Sequence, residues 1–324
     1  MYGGHLGTPS DCKVVLNDTR FWSMDESQAQ NAILSLLGEV SPRDLPKVIQ
    51  WMKNGSEIEE LTTSNADVLL RNIADDLRNC LPVEAMVASE RQAVENIQRL
   101  QKPTIHVDAF LYNDDTIDIL CEEGKMSRNY CMSCGSTKTA PLDFVSHSFS
   151  IPELRFLFHH ALPDLSGKTL LDVGSRLGAV LFAGYIYSSA SRLDGVEINP
   201  ELCDLQEKII NKYNFLDRIQ VHHADICSQK TLLQGADVIV LNNVFEYFLN
   251  KEEQIKAWMF MYENLRKKGS LIVTVPGLKE SFSKLQVNIQ LSEWVEEIEL
   301  DTDIFLGPDT DQDALSDIHL YKVL

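Results

Sequence analysis

The period of the apolar positions changes twice along the chain. Between about residues 23 and 98 it is helical. In SMDESQAQNAILSLLGEV, Ile33, Leu34, Leu36 and Leu37 follow Ser23 and Asp25, either of which can cap a first turn. In SPRDLPKVIQWMKNG, Val48, Ile49, Trp51 and Met52 run up to Gly55, a helix stop. Residues 57–98 predict two more helices, broken near Leu81 and Pro82. From 103 the apolar runs shorten. TIHVDAFLY and TIDILCE predict two strands joined as a hairpin across Asn113, Asp114 and Asp115. From 146 the pattern becomes regular. A helix in SIPELRFLFHHAL leads into strands at 168–173, 193–198, 219–224, 236–242 and 270–275, with helices at 178–190, 200–213 and 251–268 between them. Such alternation predicts βαβ units around a parallel sheet. LSEWVEEIEL (291–300) and DIHLYKV (317–323) predict an antiparallel pair at its edge. The expected organisation is a helical region at 1–102, a small β and cysteine segment at 103–145, and an α/β domain at 146–324.

Charge and cysteine content narrow the partners. Against 29 basic residues stand 48 acidic ones, a formal charge of -19. That field opposes nucleic acid and anionic membrane, and it suits a basic protein or a cationic small molecule. The chain has seven cysteines, no long apolar N-terminal stretch and no apolar run of membrane-spanning length. An intracellular, reduced protein of the cytoplasm or nucleus is expected, without membrane insertion.

The strand ends of the α/β domain carry the chemistry. The first strand ends in Asp172 and Val173 and turns through Gly174, Ser175, Arg176, Leu177 and Gly178. Glycine there allows unusual dihedrals and close backbone approach to a ligand. The second strand ends in Glu197, about 20 residues past the turn, where an acid can accept hydrogen bonds from ribose hydroxyls. The third ends at Asp225 and Ile226, and an acid there can reach an adenine amine. The fourth ends in Asn242 and Asn243, where a parallel sheet presents ligands.

Taken in order, LLDVGSRLG, GVEINPELC, IQVHHADI, ADVIVLNNVFEYF and SLIVTV resemble the class I S-adenosylmethionine-dependent methyltransferases. DVGSRLGAV with LNNVF is also similar to the histone lysine methyltransferases of the Dot1 type. The resemblance covers about half the chain. It implies a three-layer sandwich around a mostly parallel seven-stranded sheet, closed by an antiparallel strand pair. It implies S-adenosyl-L-methionine as cofactor, held by Asp172, Gly174, Ser175, Gly178, Glu197, Ile198, Asp225, Ile226 and Asn242. It also implies an acceptor side formed by Asn243, Glu246 and Tyr247. The usual middle glycine of the turn is replaced by Arg176, whose side chain must point away from the ligand or reach over it. Dinucleotide binding is disfavoured because residues 154–324 hold one nucleotide half only. Methyl transfer to a protein side chain is the leading expectation. A small-molecule methyltransferase and a catalytically silent assembly module are the alternatives.

Ahead of this domain, Cys131 and Cys134 have the spacing of half a zinc knuckle. Cys121 and His147 are the nearest further ligands. Zinc on these four residues, two unligated thiols in a turn, and a redox pair all remain open readings of the segment.

Overall fold

A computed structural model describes residues 26–54, 56–82, 87, 90, 95, 104–131, 138–141, 143–302, 305 and 312–324. Two compact units are distinguished, one ending at Leu69 and the other running from Leu70 to Leu324.

The N-terminal region is helical, with helices at Glu26–Glu39, Leu45–Asn54 and Ser56–Arg78. Of the apolar positions that marked the first two, Ile33, Leu34, Leu36, Ile49 and Trp51 stay exposed. No helix among the described residues is long and apolar enough to cross a membrane.

The next segment differs from expectation. Strand β1 (Thr104–His106) forms, but the predicted strand after it is a helix, Asp114–Glu122. The residues read as a hairpin turn are its start. The Asn113 side chain accepts the Thr116 N–H, and Asp114 and Asp115 lie in the first turn, where carboxylates favour the positive end of the helix dipole. A hairpin does form later, from β2 (Asn129–Cys131) and β3 (Thr139–Pro141), with Cys131 opposite Thr139. Strand β1 pairs in parallel with β4 (Asp143–Val145).

The remainder is the expected sandwich. Its strands are β5 (Thr169–Val173), β6 (Arg192–Glu197), β7 (Ile219–His223), β8 (Val238–Asn242), β9 (Leu271–Val275), β10 (Val295–Ile298) and β11 (His319–Val323). They lie in the order β10-β11-β9-β8-β5-β6-β7, and β11 runs antiparallel to both neighbours. This is a class I methyltransferase fold. Helices Ala179–Tyr187 and Pro200–Tyr213 pack beside β6 and β7. The central strands are apolar almost throughout because helices cover both faces. Val238, Ile239, Val240 and Leu241 are all buried, and each such side chain contributes about 1.5–3 kcal/mol relative to exposure. One face of the core gathers Leu171, Ile239, Ile272, Trp258, Met261 and Trp294. The Trp294 indole N–H is satisfied by the Leu265 carbonyl at 2.9 Å.

Strand order reverses at β5. The chain goes from β5 to β6 and β7 on one side and to β8 and β9 on the other. At such a switch point the connections diverge, leaving a crevice above the C-terminal strand ends. Asp172, Glu197 and Asn242 all stand at that edge.

Candidate functional site

The turn after β5 is built for close approach. Gly174 has φ +68, and a Cβ there would lie 2.5 Å from Val244 Cγ2. Gly178, at φ +83, caps the helix that follows. The turn is anchored to β6, with the Gly174 and Ser175 amides both donating to the Val196 carbonyl (2.8 and 3.1 Å). The Ser175 hydroxyl donates to Gln206 Oε1 (3.0 Å), and Gln206 Nε2 donates to the Arg176 carbonyl (2.9 Å). Gln206 is a fully buried polar residue on the otherwise apolar stripe Leu202, Leu205, Ile209. That irregularity is the sequence signal that it holds a loop.

Glu197 meets the turn directly. Its Oε2 accepts the Arg176 amide (2.9 Å) and its Oε1 accepts the Asn199 amide (2.8 Å). Each oxygen keeps a second lone pair, which fits a pair of ribose hydroxyls. Burial raises its pKa, and the two backbone N–H bonds oppose that rise.

Arg176 settles its own question. It adopts a left-handed backbone (φ 47), and its guanidinium is buried between two acids far away in sequence. Nε donates to Glu90 Oε1 (3.2 Å) and Nη1 to Asp108 Oδ2 (2.7 Å). Asp108 also accepts the Phe110 and Leu111 amides and the Ser148 hydroxyl. Sequence reasoning missed Glu90 and Asp108. A buried arginine demands such partners, but no local motif says where they are.

Asp172 is 4% exposed, and no hydrogen bond reaches its carboxylate among the described residues. Burial, with the nearby Glu197 charge, pushes its pKa up to about 8. It lines a small cavity with Gly174, Ser175, Asn242, His147 and Ser148. An unpartnered buried carboxylate beside a glycine cradle fits a cationic group, such as the ammonium of S-adenosylmethionine.

The other predicted cofactor residues sit at the same edge in different states. Ile198 is 67% exposed beside Glu197. Asp225 is exposed and caps the short helix Ile226–Ser228, while Ile226 is buried in the core. Asn242 reaches the cavity.

Of the residues expected to face the acceptor, Asn243 has φ 49, and its amide donates to the Ser146 carbonyl (3.3 Å), tying the end of β8 to the 146–149 segment. The Glu246 carboxylate accepts the Phe245 amide and the Ser281 hydroxyl, both at 3.1 Å, and burial raises its pKa. Burial raises the Tyr247 pKa as well, and its ring packs edge-on against His147. Near β7, His222 pairs with buried Asp194 (2.8 Å) and His223 with the Ile198 carbonyl (3.2 Å).

The zinc expectation finds no support. Cys134 lies outside the described residues. Cys121 sits on the helix Asp114–Glu122, Cys131 is exposed in β2, and His147 is buried at the cavity. Among the described residues, no three His, Cys, Asp or Glu side chains converge as a metal site. The spacing suggested ligands, but the helix formed by 114–122 puts Cys121 in an element of a different kind from the predicted hairpin.

No protein-family model matches the chain, and no curated protein matches it in sequence. Among solved structures it is similar to an RNA methyltransferase from Salinibacter ruber in complex with S-adenosyl-L-homocysteine. Identity is 16%, with 53% of this chain and 90% of that one covered and a TM-score of 0.34. It is also similar to an O-methyltransferase from Bacillus cereus in complex with SAH, at 15% identity, 56% and 84% coverage and a TM-score of 0.40. Neither likeness points to a subfamily, the histone lysine type included. The fold assignment rests on strand order and register.

Proposed function

We propose that the α/β domain transfers the methyl group of S-adenosyl-L-methionine to an acceptor. The observation that carries this reading is Glu197 at the end of β6, held by the Arg176 and Asn199 amides beside the turn at 174–178. There it is aligned for ribose, while Asp172 stands unpartnered for the cationic amino-acid end. Ser175 and Asn242 line the cradle, and Ile198, Asp225 and Ile226 stand at the adenine side. Asn243, Glu246 and Tyr247 border the acceptor side. Transfer needs alignment and exclusion of water more than elaborate acid–base machinery, since the sulfonium is already electrophilic. With a formal charge of -19, the chain suits a basic protein or peptide as the source of the acceptor side chain.

Calorimetric titration with S-adenosylmethionine tests the reading. Binding is expected, with Glu197→Ala weakening it by about 100-fold, the worth of two hydrogen bonds to a charged group. Absence of binding at high micromolar cofactor refutes the proposal.

The second reading is a catalytically silent module, favoured by the Arg176, Glu90 and Asp108 cluster, which spends the middle residue of the cofactor turn on a buried ion pair. It predicts a folded protein that binds neither S-adenosylmethionine nor its demethylated product.

A further inference from the structure

Asp172 shares the cavity at the switch point with a second unpartnered group. His147 is 5% exposed, and among the described residues neither ring nitrogen has a hydrogen-bond partner. Leaving a buried polar atom dry costs about 1–3 kcal/mol, so such a group calls for an explanation. The ring is held by shape alone. It stacks on His106 (centroids 4.8 Å apart, 18° between planes), meets Tyr247 edge-on at 4.9 Å and Phe248 at 5.0 Å. Its place is fixed by the backbone as well. Ser146 accepts the Asn243 amide and Ser148 is tied to Asp108, so the residues on both sides of His147 are pinned. The imidazole therefore lies at the cavity between the cofactor turn and the end of β8, fixed in place with both nitrogens uncommitted.

We propose that His147 receives the methyl acceptor, whose neutral hydroxyl or ring N–H donates to an imidazole nitrogen and gives it the proton on transfer. This rests on the transferase reading above. The acceptor lone pair forms the bond to the methyl carbon, and the carbon–sulfur bond breaks with its electron pair left on sulfur. The acceptor proton passes to His147. The sulfonium charge disappears as the imidazolium charge forms, so net charge in the cavity is unchanged. The groups facing His147 are His106 from β1, Arg176 and Asp172 from the β5 turn, and Tyr247 after β8. Burial, with His106 and Arg176 nearby, holds the imidazole pKa well below its ordinary value, so the ring is neutral before transfer, and its uptake of the proton is coupled to the loss of the sulfonium charge beside it. The second nitrogen, also unpartnered, lets either tautomer form without breaking an existing bond.

The test uses the full chain, methyl-tritiated S-adenosylmethionine, and cell extract resolved into protein, nucleic-acid and small-molecule fractions. His147→Gln and His147→Ala are compared with wild type, and S-adenosylhomocysteine binding is measured separately by calorimetry. Both variants are expected to bind S-adenosylhomocysteine within about threefold of wild type while transfer falls by about 100-fold or more, the usual worth of a positioned acid–base group. Added imidazole is expected to restore part of the transfer by His147→Ala and none by His147→Gln, a distinction a structural role does not produce. Undiminished transfer by His147→Gln overturns the proposal. So does loss of S-adenosylhomocysteine binding in both variants, which makes His147 part of the cofactor site. Wild-type protein that binds no S-adenosylhomocysteine, or labels none of the fractions, overturns the transferase reading and this inference with it.

Discussion

The two sides of the β5 turn solve different electrostatic problems. Around the β5 turn lie four buried acids (Asp172, Glu197, Glu90 and Asp108), each less than a tenth exposed, and one guanidinium, that of Arg176, which pairs with Glu90 and Asp108. Toward β8, the cavity meets Asn242 and His147, with the Asn243 amide and the Tyr247 and Phe248 rings beside them. Glu246, the carboxylate on that side, is taken up by Phe245 and Ser281. The first side carries more negative charge than it can neutralise internally, an arrangement suited to a cationic ligand. The second presents a neutral imidazole and amide groups to the cavity and is suited to placing one atom. On the proposed function, the cofactor end is thus specified by charge and the acceptor end by shape.

Arg176 gives the largest way to break that comparison. Arg176→Ala leaves Glu90 and Asp108 buried without their cation, and a loss of about 3–5 kcal/mol in urea unfolding is expected. Arg176→Gly is expected to lose about 1 kcal/mol less than Arg176→Ala, because glycine adopts φ 47 without strain. Equal stability of Arg176→Ala and wild type would show that the acids do not depend on the guanidinium.

The two sides touch at Gly174 and Val244. In Gly174→Ala the new Cβ would lie 2.5 Å from Val244 Cγ2 in a backbone of φ +68. A loss of about 1–3 kcal/mol follows from overpacking alone. Adding Val244→Ala removes the clash and is expected to recover part of it. A fully additive double mutant would mean that the turn and the end of β8 are not packed as described.

Asp172 sharpens the charge side through pH. Its folded pKa of about 8 lies above the ordinary aspartate value. The acid therefore favours the folded protein at low pH, and that contribution is lost as pH rises towards and through 8. Asp172→Asn, which cannot ionise, is expected to gain stability relative to wild type as pH rises from 4 to 8, as read by urea unfolding at the two pH values. It is also expected to bind S-adenosylmethionine more weakly. Because a cationic ligand needs the carboxylate ionised, wild-type affinity is expected to rise between pH 6.5 and 8.5, with proton release visible as a buffer-dependent binding enthalpy. Affinity that falls over this range would remove Asp172 from the cofactor site.

These residues differ in how visible they are along the chain. Asp172 and Glu197 could be read because each ends an apolar strand followed by turn residues, and the alternation of strands and helices fixes which edge they share. The β10–β11 pair was visible for the same reason. Arg176 was visible as an oddity but not as a solution, since its partners lie 68 and 86 residues away. Residues 116–122 misled because Thr, Ile and Leu at high density suit a strand, while the decisive information was outside them. Asn113 with two following acids caps a helix as readily as it turns a hairpin. His147 was legible only as a possible ligand, because what distinguishes it, two unpaired nitrogens at a shared cavity, exists only after folding.

Ile198 provides the smallest effect and the cleanest separation of binding from stability. It adjoins Glu197, yet 67% of its surface is exposed, so the folded protein gains little from it. Ile198→Ala is expected to change unfolding stability by no more than about 0.5 kcal/mol. An adenine ring lying across the end of β6 would bury that side chain, and losing its outer carbons costs about 1 kcal/mol or more in binding. S-adenosylmethionine affinity is then expected to fall by about fivefold with melting temperature unmoved. Arg176→Ala is the mirror image, since its loss falls first on the fold. If Ile198→Ala leaves affinity untouched while Glu197→Ala abolishes it, the ribose contact stands and the adenine must leave β6 by another path, with Asp225 and Ile226 then its nearest neighbours.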